Sequence, residues 1–176
     1  GPFNLRRSIK RITVIHDLTP LLFPHFHSFL SRFLQKLFLP SILQKADLII
    51  TNSAHTSHDV IQYKPELRDK TQSILLGKDD SFVPTTDNSV LNKYNIDSPY
   101  ILSIGTIEPR KNLTTLLKAF AIFKESRNNT KLVLAGGKGW KNTEMEKVLS
   151  SHPYINDIII TGYMDREDMP AIYSQC

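Results

Sequence analysis

The 176-residue chain carries a formal net charge of +5, and 40% of its residues are hydrophobic and 22% charged. This composition is typical of a folded globular protein and excludes an intrinsically disordered one. The single cysteine, Cys176, cannot form an internal disulfide, and no run of about 20 apolar residues indicates a membrane-spanning helix. The positive charge suits nucleic acid, anionic lipid or nucleotide phosphates equally well, so charge alone identifies no ligand.

Short apolar segments alternate with helical patterns along the chain. The segments are nearly continuous rather than alternating in polarity, which is typical of strands buried on both faces of a parallel sheet. The sequence therefore predicts an α/β protein with mostly parallel sheets. In chain order, the predicted strands are Ile12–Ile15, Leu48–Thr51, Ser73–Leu76, Tyr100–Ile104, Lys131–Ala135 and Ile158–Thr161.

The helix predicted after the first strand is amphipathic and basic. Its apolar face runs from Phe29 to Phe38, with Arg32 and Lys36 opposite. Pro40 is expected to end this helix or to begin a second short one. A helix of this kind packs against a core or a neighbouring domain, or it lies on an anionic membrane surface.

Helix N-caps are predicted at four further positions. The side-chain oxygen of Ser, Thr, Asn or Asp accepts a hydrogen bond from the free amides of the first turn. The predicted caps are Ser53, for a helix that reaches Tyr63, Asn112, Thr143 in a capping box with Glu146, and Asp165.

Residues 78–97 form a polar stretch that contains Pro84 and shows no sustained periodicity before residue 90. We interpret this stretch as a linker that joins two α/β halves. The predicted domain boundary lies between residues 84 and 85.

Polar and small residues follow the predicted strands at their carboxyl ends, where ligands bind in open α/β sheets. His16-Asp17 follows the first strand, Gly136-Gly137 the fifth and Gly162-Tyr163 the sixth. His16 is either a hydrogen-bonding or proton-transfer group or a histidine held by Asp17. Gly136-Gly137 is either a backbone cradle for phosphate or an ordinary glycine turn.

The segment from Gly105 to Asn112 carries the most informative signal. It joins the predicted strand that ends at Ile104 to an amphipathic helix. Arg110 and Lys111 thus lie where a buried strand meets a helix N-terminus, and cations at such a corner favour an anionic ligand such as phosphate. The alternative is that both are ordinary solvated cations.

Other site chemistries have less support in the sequence. The four histidines at 25, 27, 55 and 58 have spacings that suit a metal, but no cysteine or carboxylate completes a ligand set. The Gly-x-Ser-x-Gly turn of α/β-hydrolases is absent. The cations are scattered rather than interleaved with aromatic residues on one face, which argues against nucleic-acid binding.

Eight short motifs follow one another along the chain. They are His16 to Pro20, Ala46 to Ser53, Gly77 to Pro84, Gly105-Thr106 with Glu108 to Asn112, Leu132 to Gly136, Gly139-Trp140, Gly162-Tyr163, and Pro170 to Cys176. As an ordered set they resemble the family 4 retaining glycosyltransferases, and in particular mannosyltransferase-like members. The resemblance implies a GT-B fold, with two Rossmann-like domains that are both incomplete here. Residues 1–84 would form the acceptor side, and residues 85–176 would bind a nucleotide sugar.

The resemblance also implies a reaction. The enzyme would move a hexose, expected to be mannose, from a nucleotide-diphosphate sugar to a glycan or lipid-linked acceptor with retention. Arg110 and Lys111 would offset the charge that grows on the leaving diphosphate, and His16 would lie near the donor sugar and the acceptor. The residues expected to line the nucleotide site, besides these two cations, are Gly105, Thr106, Gly136, Gly137 and Tyr163.

The remaining expectations follow from the same resemblance. The donor would be a sugar nucleotide such as GDP-mannose or UDP-glucose, without a metal or other cofactor, and nucleic acid would not be a partner. The enzyme would serve polysaccharide synthesis in the cytoplasm, with peripheral contact at the inner membrane face. The family's "E-G-P--EA" segment is not among these residues, so we expect a piece of a longer enzyme with little or no turnover alone. The alternative is a non-catalytic nucleotide-binding or interaction module of the same fold.

Overall fold

The computed structural model describes residues 9–97, 99–126, 129–139 and 143–176. The chain divides into two units, Gly1–Gly77 and Lys78–Cys176. Each unit contains a three-stranded sheet in which every pairing is parallel. The predicted α/β class with parallel sheets is therefore confirmed.

The first unit orders its strands β1-β2-β3. Its strands are β1 (Ile12–Ile15), β2 (Leu48–Thr51) and β3 (Thr71–Ser73). Its helices are α1 (Thr19–Leu22), α2 (Phe29–Lys45) and α3 (Ala54–Tyr63), with 3₁₀ turns at Pro24–Phe26 and Pro65–Lys70.

Helices cover one face of the first sheet. Ile15 and Ile49 point to that face and pack in one core with Leu43 of α2 and Val60 of α3. Side chains alternate along a strand, so Ile12 lies on the opposite face, where it is 60% exposed. The prediction of burial on both faces is wrong for β1, because apolar composition does not say how many faces are covered.

The second unit orders its strands β4-β5-β6. Its strands are β4 (Tyr100–Ile104), β5 (Lys131–Ala135) and β6 (Ile158–Gly162). Its helices are α4 (Ser89–Lys93), α5 (Leu113–Lys124), α6 (Thr143–Ser150) and α7 (Met169–Ser174), with 3₁₀ turns at Pro109–Lys111, Ile155–Asp157 and Arg166–Asp168.

Helices cover both faces of the second sheet. Val133 and Ala135 pack in one core with residues of α4 and α7. Leu132 and Leu134, on the opposite face, pack in a second core with residues of α5 and α6. β5 is therefore the doubly buried strand that the sequence predicts.

The third predicted strand is wrong in position. β3 ends at Ser73, where the prediction began, and Leu75 and Leu76 are 75% and 73% exposed. The amide of Ile74 still donates to the carbonyl of Thr51 at 2.8 Å. Among the described residues β3 lies at an edge of the sheet beside β2, and the strand ends before the apolar run does.

α2 continues through Pro40, so the predicted helix break is wrong. Leu39 and Leu43 lie on either side of Pro40 and are both buried in the first core. This packing outweighs the loss of one backbone donor inside the helix, which typically costs about 3 kcal/mol. Across the described ranges, no helix is long and apolar enough to cross a lipid bilayer.

The side chains of two predicted N-caps, Ser53 and Asn112, make hydrogen bonds that decide the predictions. The Ser53 hydroxyl accepts from the amide of Thr56 at 3.0 Å, which confirms this cap. Asn112 has a positive φ of 51°, and its side-chain oxygen accepts from the Thr115 hydroxyl instead of a backbone amide. Its predicted capping bond is therefore wrong, and the oxygen binds the hydroxyl of a first-turn residue instead.

The predicted cap at Asp165 is also wrong. Its carboxylate accepts from Lys93 at 2.8 Å and makes no capping bond. Thr143 is the first residue of α6, and the Glu146 carboxylate lies 2.6 Å from the Lys138 ammonium. The capping box of Thr143 and Glu146 stays a prediction.

The predicted linker belongs to the second unit, which begins at Lys78 rather than at residue 85. Leu91 and Ile96 lie in its core, and the Phe82 ring packs on the Tyr173 ring at 5.7 Å. These few apolar residues within a polar stretch are enough to fix it to the second unit.

Candidate functional site

A cavity of about 470 Å³ lies at the carboxyl ends of β4, β5 and β6. Parallel strands present their carboxyl ends at one edge, which is where ligands bind in open α/β sheets. Five residues that the sequence places in a nucleotide site line this cavity. They are Gly105, Thr106, Gly136, Gly137 and Tyr163.

Two glycines form the tightest contact of the site. Gly136 has a φ of +148°, and a Cβ atom there would lie 2.1 Å from the carbonyl oxygen of Gly105. The amide of Gly105 donates to Ala135 at 2.9 Å, and the amide of Gly136 donates to Gly162 at 2.8 Å. The floor of the cavity is therefore closely packed backbone that leaves no room for a side chain at position 136.

Backbone bonds also join the loops that follow β4 and β5. The amide of Ile107 donates to Gly137 at 3.0 Å, and the amide of Gly139 donates to Ile107 at 3.0 Å. These hydrogen bonds hold the two loops together, and the segment after Ile107 starts from this point. That segment carries Arg110 and Lys111.

Lys111 folds back toward the end of β4. Its Cε and Nζ atoms lie 3.1 and 3.3 Å from the point that a Cβ on Gly105 would occupy. Lys111 is the last residue of the 3₁₀ turn Pro109–Lys111, and its amide donates to the carbonyl of Glu108 at 3.0 Å. The Lys111 ammonium therefore lies beside a residue of the cavity wall.

Arg110 has a different environment. Its Nη2 donates to Oε1 of Glu108 at 2.5 Å, and the Glu108 side chain is only 3% exposed. A buried carboxylate needs a cation of this kind, since an unpaired charge in the interior is strongly destabilising. Arg110 thus offsets the charge of Glu108, and its expected contact with a donor diphosphate stays a prediction.

Six residues that line the cavity were not predicted as site residues. They are Phe82, Ile104, Ala135, Met164, Arg166 and Met169. Arg166 follows β6 by four residues. It could have been predicted if the residues considered after each strand end had extended beyond Tyr163. Phe82 gives no such signal, because it lies in the stretch interpreted as a linker.

Carboxylates near the cavity are paired with cations. Arg166 donates to Asp79, and Lys93 donates to Asp168 at 2.7 Å. Hydrogen bonds from Lys93 and then Tyr94 lower the pKa of Asp168. These acids are therefore ionised and neutralised by neighbours at neutral pH.

Residues 87–176 match the family described as glycosyl transferases group 1. The match spans just over half of the chain and includes every residue that lines the cavity except Phe82. The chain belongs to the group 1 glycosyltransferases. The glycine floor and the cation beside it are thus features of a glycosyltransferase domain.

Curated relatives of this glycosyltransferase chain are longer proteins. The "O-antigen chain mannosyltransferase B" of Escherichia coli is 30% identical over 99% of this chain and 48% of its own length. The "Serotype-specific mannosyltransferase WbdA" of Escherichia coli is 28% identical over 95% of this chain and 22% of its own length. The chain thus spans about half or less of these relatives.

Solved structures share the fold of this glycosyltransferase chain. Anabaena Alr3699/HepE in complex with UDP and glucose matches with a TM-score of 0.73 and 18% identity, over 95% of this chain and 44% of that chain. The same protein in complex with UDP-glucose matches with a TM-score of 0.73 and 17% identity, over 95% and 45%. This likeness confirms the predicted GT-B fold class.

His16 lies in the other unit of the glycosyltransferase chain. It follows β1, its side chain is exposed, and its carbonyl accepts from the Thr56 hydroxyl at 3.2 Å. The Asp17 carboxylate accepts from both the amide and the hydroxyl of Thr19. The expected place of His16 near the donor sugar stays a prediction.

Two further expectations are not decided by the structure. Within the part of the chain that is described, no group of three or more His, Cys, Asp or Glu side chains is placed to hold a metal ion. The expectation that the reaction needs no metal nevertheless stays a prediction. Trp140, part of one motif, lies outside the described residues.

Proposed function

We propose that this chain forms the donor-binding part of a retaining family 4 glycosyltransferase. The enzyme moves mannose from a nucleotide-diphosphate sugar to a glycan or lipid-linked acceptor. One observation carries the proposal: the Lys111 ammonium folds over Gly105 beside a cavity whose floor is glycine backbone.

The chemistry of the leaving group supports this assignment. Negative charge grows on the nucleotide diphosphate as the glycosidic bond breaks, and a cation already in place stabilises that charge. A glycine floor lets a diphosphate approach the backbone closely, since no side chain intervenes. The cavity volume of about 470 Å³ lies within the range of small-molecule sites, about 300 to 1,000 Å³. Tyr163, which is 81% exposed, is proposed to contact the base.

The comparisons support the donor class and suggest its sugar. The curated relatives are named mannosyltransferases, which supports mannose. Alr3699/HepE, at 17–18% identity, is described in complex with UDP and UDP-glucose, which supports a nucleotide-sugar donor. GDP-mannose and UDP-glucose are therefore the two donors to compare. His16 is proposed to act near the transferred sugar.

Calorimetric titration with GDP, UDP and the two donors tests the proposal. We expect Lys111→Met to weaken nucleotide binding by about 10- to 100-fold, the usual loss for one charge-assisted hydrogen bond. Lys118→Met is the matched control, because Lys118 is an exposed lysine of the neighbouring helix. Equal affinities in the two variants would contradict the proposal.

Catalysis and stereochemistry belong to the longer protein. We expect that protein to transfer mannose with retention. NMR of the product should show the same anomeric configuration as in the donor. Nucleotide binding without transfer would instead favour a non-catalytic nucleotide-binding module. We propose that no metal is required, so excess EDTA should leave both donor affinity and transfer unchanged.

We further propose that α2 brings the enzyme to the inner face of the cytoplasmic membrane. Phe29, Leu30 and Phe33 of α2 are 75%, 63% and 52% exposed. Residues 18–46 contain no acidic residue, whereas they include Arg32, Lys36 and Lys45. An exposed apolar helix face within a basic segment suits an anionic lipid surface.

Sedimentation with vesicles tests this contact. We expect Phe29→Ser to weaken binding to anionic phosphatidylglycerol vesicles about tenfold, because burial of a phenylalanine contributes roughly 1.5–3 kcal/mol. Leu75→Ser is the control, since Leu75 is also 75% exposed but lies outside α2. Equal losses in both variants, or equal binding to neutral phosphatidylcholine, would contradict the proposal.

A further inference from the structure

Residues 78–84 are not part of a helix or strand. Of these residues, Phe82 lines the cavity. Its ring is half-buried and packs on Tyr173, and it also lines a second cavity of about 310 Å³ with Pro170. A segment without a backbone ladder depends on individual side-chain contacts to stay in place.

Asp79 ties this segment to a second residue of the cavity lining, Arg166. Its carboxylate accepts from the amide of Ser81 at 3.0 Å and from the Ser81 hydroxyl at 2.9 Å. It also accepts from Arg166, which lies on the 3₁₀ turn after β6 and itself lines the cavity. The Ser81 amide and then Arg166 lower the pKa of Asp79 to about 2, so the carboxylate is charged at neutral pH.

Beyond Phe82, other contacts hold the chain. The amide of Thr85 donates to the Ser174 hydroxyl at 3.1 Å, and the Gln175 side chain donates to the carbonyl of Asp87 at 2.8 Å. Phe82 thus lies between two anchors. The anchor on its amino-terminal side is the Asp79–Arg166 ion pair.

We propose that the Asp79–Arg166 ion pair positions Phe82 as a wall of the donor site, which makes Asp79 a positioning residue for donor binding. The inference rests on the proposed function of this cavity. Asp79, held by Arg166, acts through Phe82, because its own side chain is not part of the cavity lining. An exposed ion pair adds little to global stability, so its effect is on local opening of residues 78–84.

Asp79→Asn is the informative variant, because asparagine keeps the size of the side chain and an oxygen for Ser81 but loses the charge. Hydrogen exchange of the amides at 79–85, measured without nucleotide, should speed up about two- to fivefold. The dissociation constants for GDP and UDP should rise by a similar factor. Asp80→Asn is the matched control, since the Asp80 side chain is fully exposed and lies 4.0 Å from Lys78. It should change neither quantity.

A second variant tests whether Asp79 acts through Phe82. Phe82→Ala should weaken nucleotide binding, and adding Asp79→Asn to it should weaken binding no further. Additive losses in the double variant would overturn the positioning role, as would exchange in Asp79→Asn equal to that in Asp80→Asn.

The two measurements separate this inference from the proposed function. Faster exchange in Asp79→Asn with unchanged nucleotide affinity would overturn the positioning role while the donor site stands. Absence of nucleotide binding in the unmodified chain would refute the donor site and the positioning role together. In that case the exchange result would still show whether the ion pair holds residues 78–84.

Discussion

The two sheets of this chain have the same number of strands and the same parallel pairing, but their surroundings differ. In the first sheet, Ile12 and Val14 are 60% and 52% exposed because helices cover one face. In the second sheet, Leu132, Val133 and Leu134 are at most 1% exposed because helices cover both faces. Similar apolar strands thus occur in a sheet with helices on one face and in a sheet with helices on both faces.

The difference matters for the site. The cavity lies at the end of the doubly covered sheet, where backbone bonds join the loops after β4 and β5. Sites that rest on rigid elements hold their groups in place better than sites on free loops. The comparison therefore predicts that substitutions near the second sheet affect both stability and ligand binding more than their counterparts near the first.

The largest effect is expected for Gly136→Ala. The new methyl group would overlap the Gly105 carbonyl, and the φ of +148° is unfavourable for any side chain. We expect a loss of about 4 kcal/mol or more in unfolding free energy, together with loss of detectable nucleotide binding. Urea unfolding and calorimetric titration measure the two effects.

Gly137→Ala is the control for that prediction. A Cβ atom at Gly137 would meet nothing within 4 Å. Its unfolding free energy should stay within about 0.5 kcal/mol of the unmodified chain. If both variants were equally stable, the close approach of the two strand-end loops would not be important for the fold.

A smaller effect compares one valine from each sheet. Val133→Ala removes two methyl groups from a fully buried site and should cost about 2 kcal/mol. Val14→Ala acts at a site that is 52% exposed and should cost less than about 1 kcal/mol. Urea midpoints measure both costs. A cost at Val14 equal to that at Val133 would mean that the open face of the first sheet is covered in solution.

The smallest expected effect is the loss of stability of the second unit at acidic pH. The pKa of Asp157 is lowered by hydrogen bonds from Lys124 and then Lys131. A carboxyl whose pKa is lower in the folded state stabilises the fold above its unfolded pKa of about 4 and loses this contribution as the pH falls through its folded pKa. We expect the second unit to lose on the order of 1 kcal/mol of unfolding free energy between pH 5 and pH 2, as Asp157 is protonated and its bonds to the two lysines weaken.

Asp157→Asn should remove that part of the pH dependence. The matching variant in the first unit is Asp47→Asn. The pKa of the Asp47 carboxyl is lowered first by a hydrogen bond from the Arg11 amide. Unfolding free energies of the three proteins at pH 5 and pH 3 measure the difference. An unchanged dependence of unfolding free energy on pH in Asp157→Asn would show that Asp157 and its lysine partners do not contribute to it.

The sequence predicted most strands, and five of the residues expected in a nucleotide site line one cavity, because strands follow from local pattern and the grouping of these residues from the strand-end rule. It did not predict the contact between Asp79 and Arg166, since no local pattern links positions so far apart in the chain. It also predicted a helix break at Pro40, where burial of Leu39 and Leu43 outweighs the local signal. Predictions thus failed where tertiary contacts outweigh local preference.

The pairing of Glu108 with Arg110 explains the order of the two neighbouring cations. A guanidinium is planar and offers several donors, so it suits a carboxylate that is removed from water, whereas an ammonium on a flexible four-carbon stem can fold back toward Gly105. A chain with these two residues exchanged would keep its composition and its net charge. It would nevertheless leave the carboxylate with a poorer partner and place the stiffer group beside Gly105.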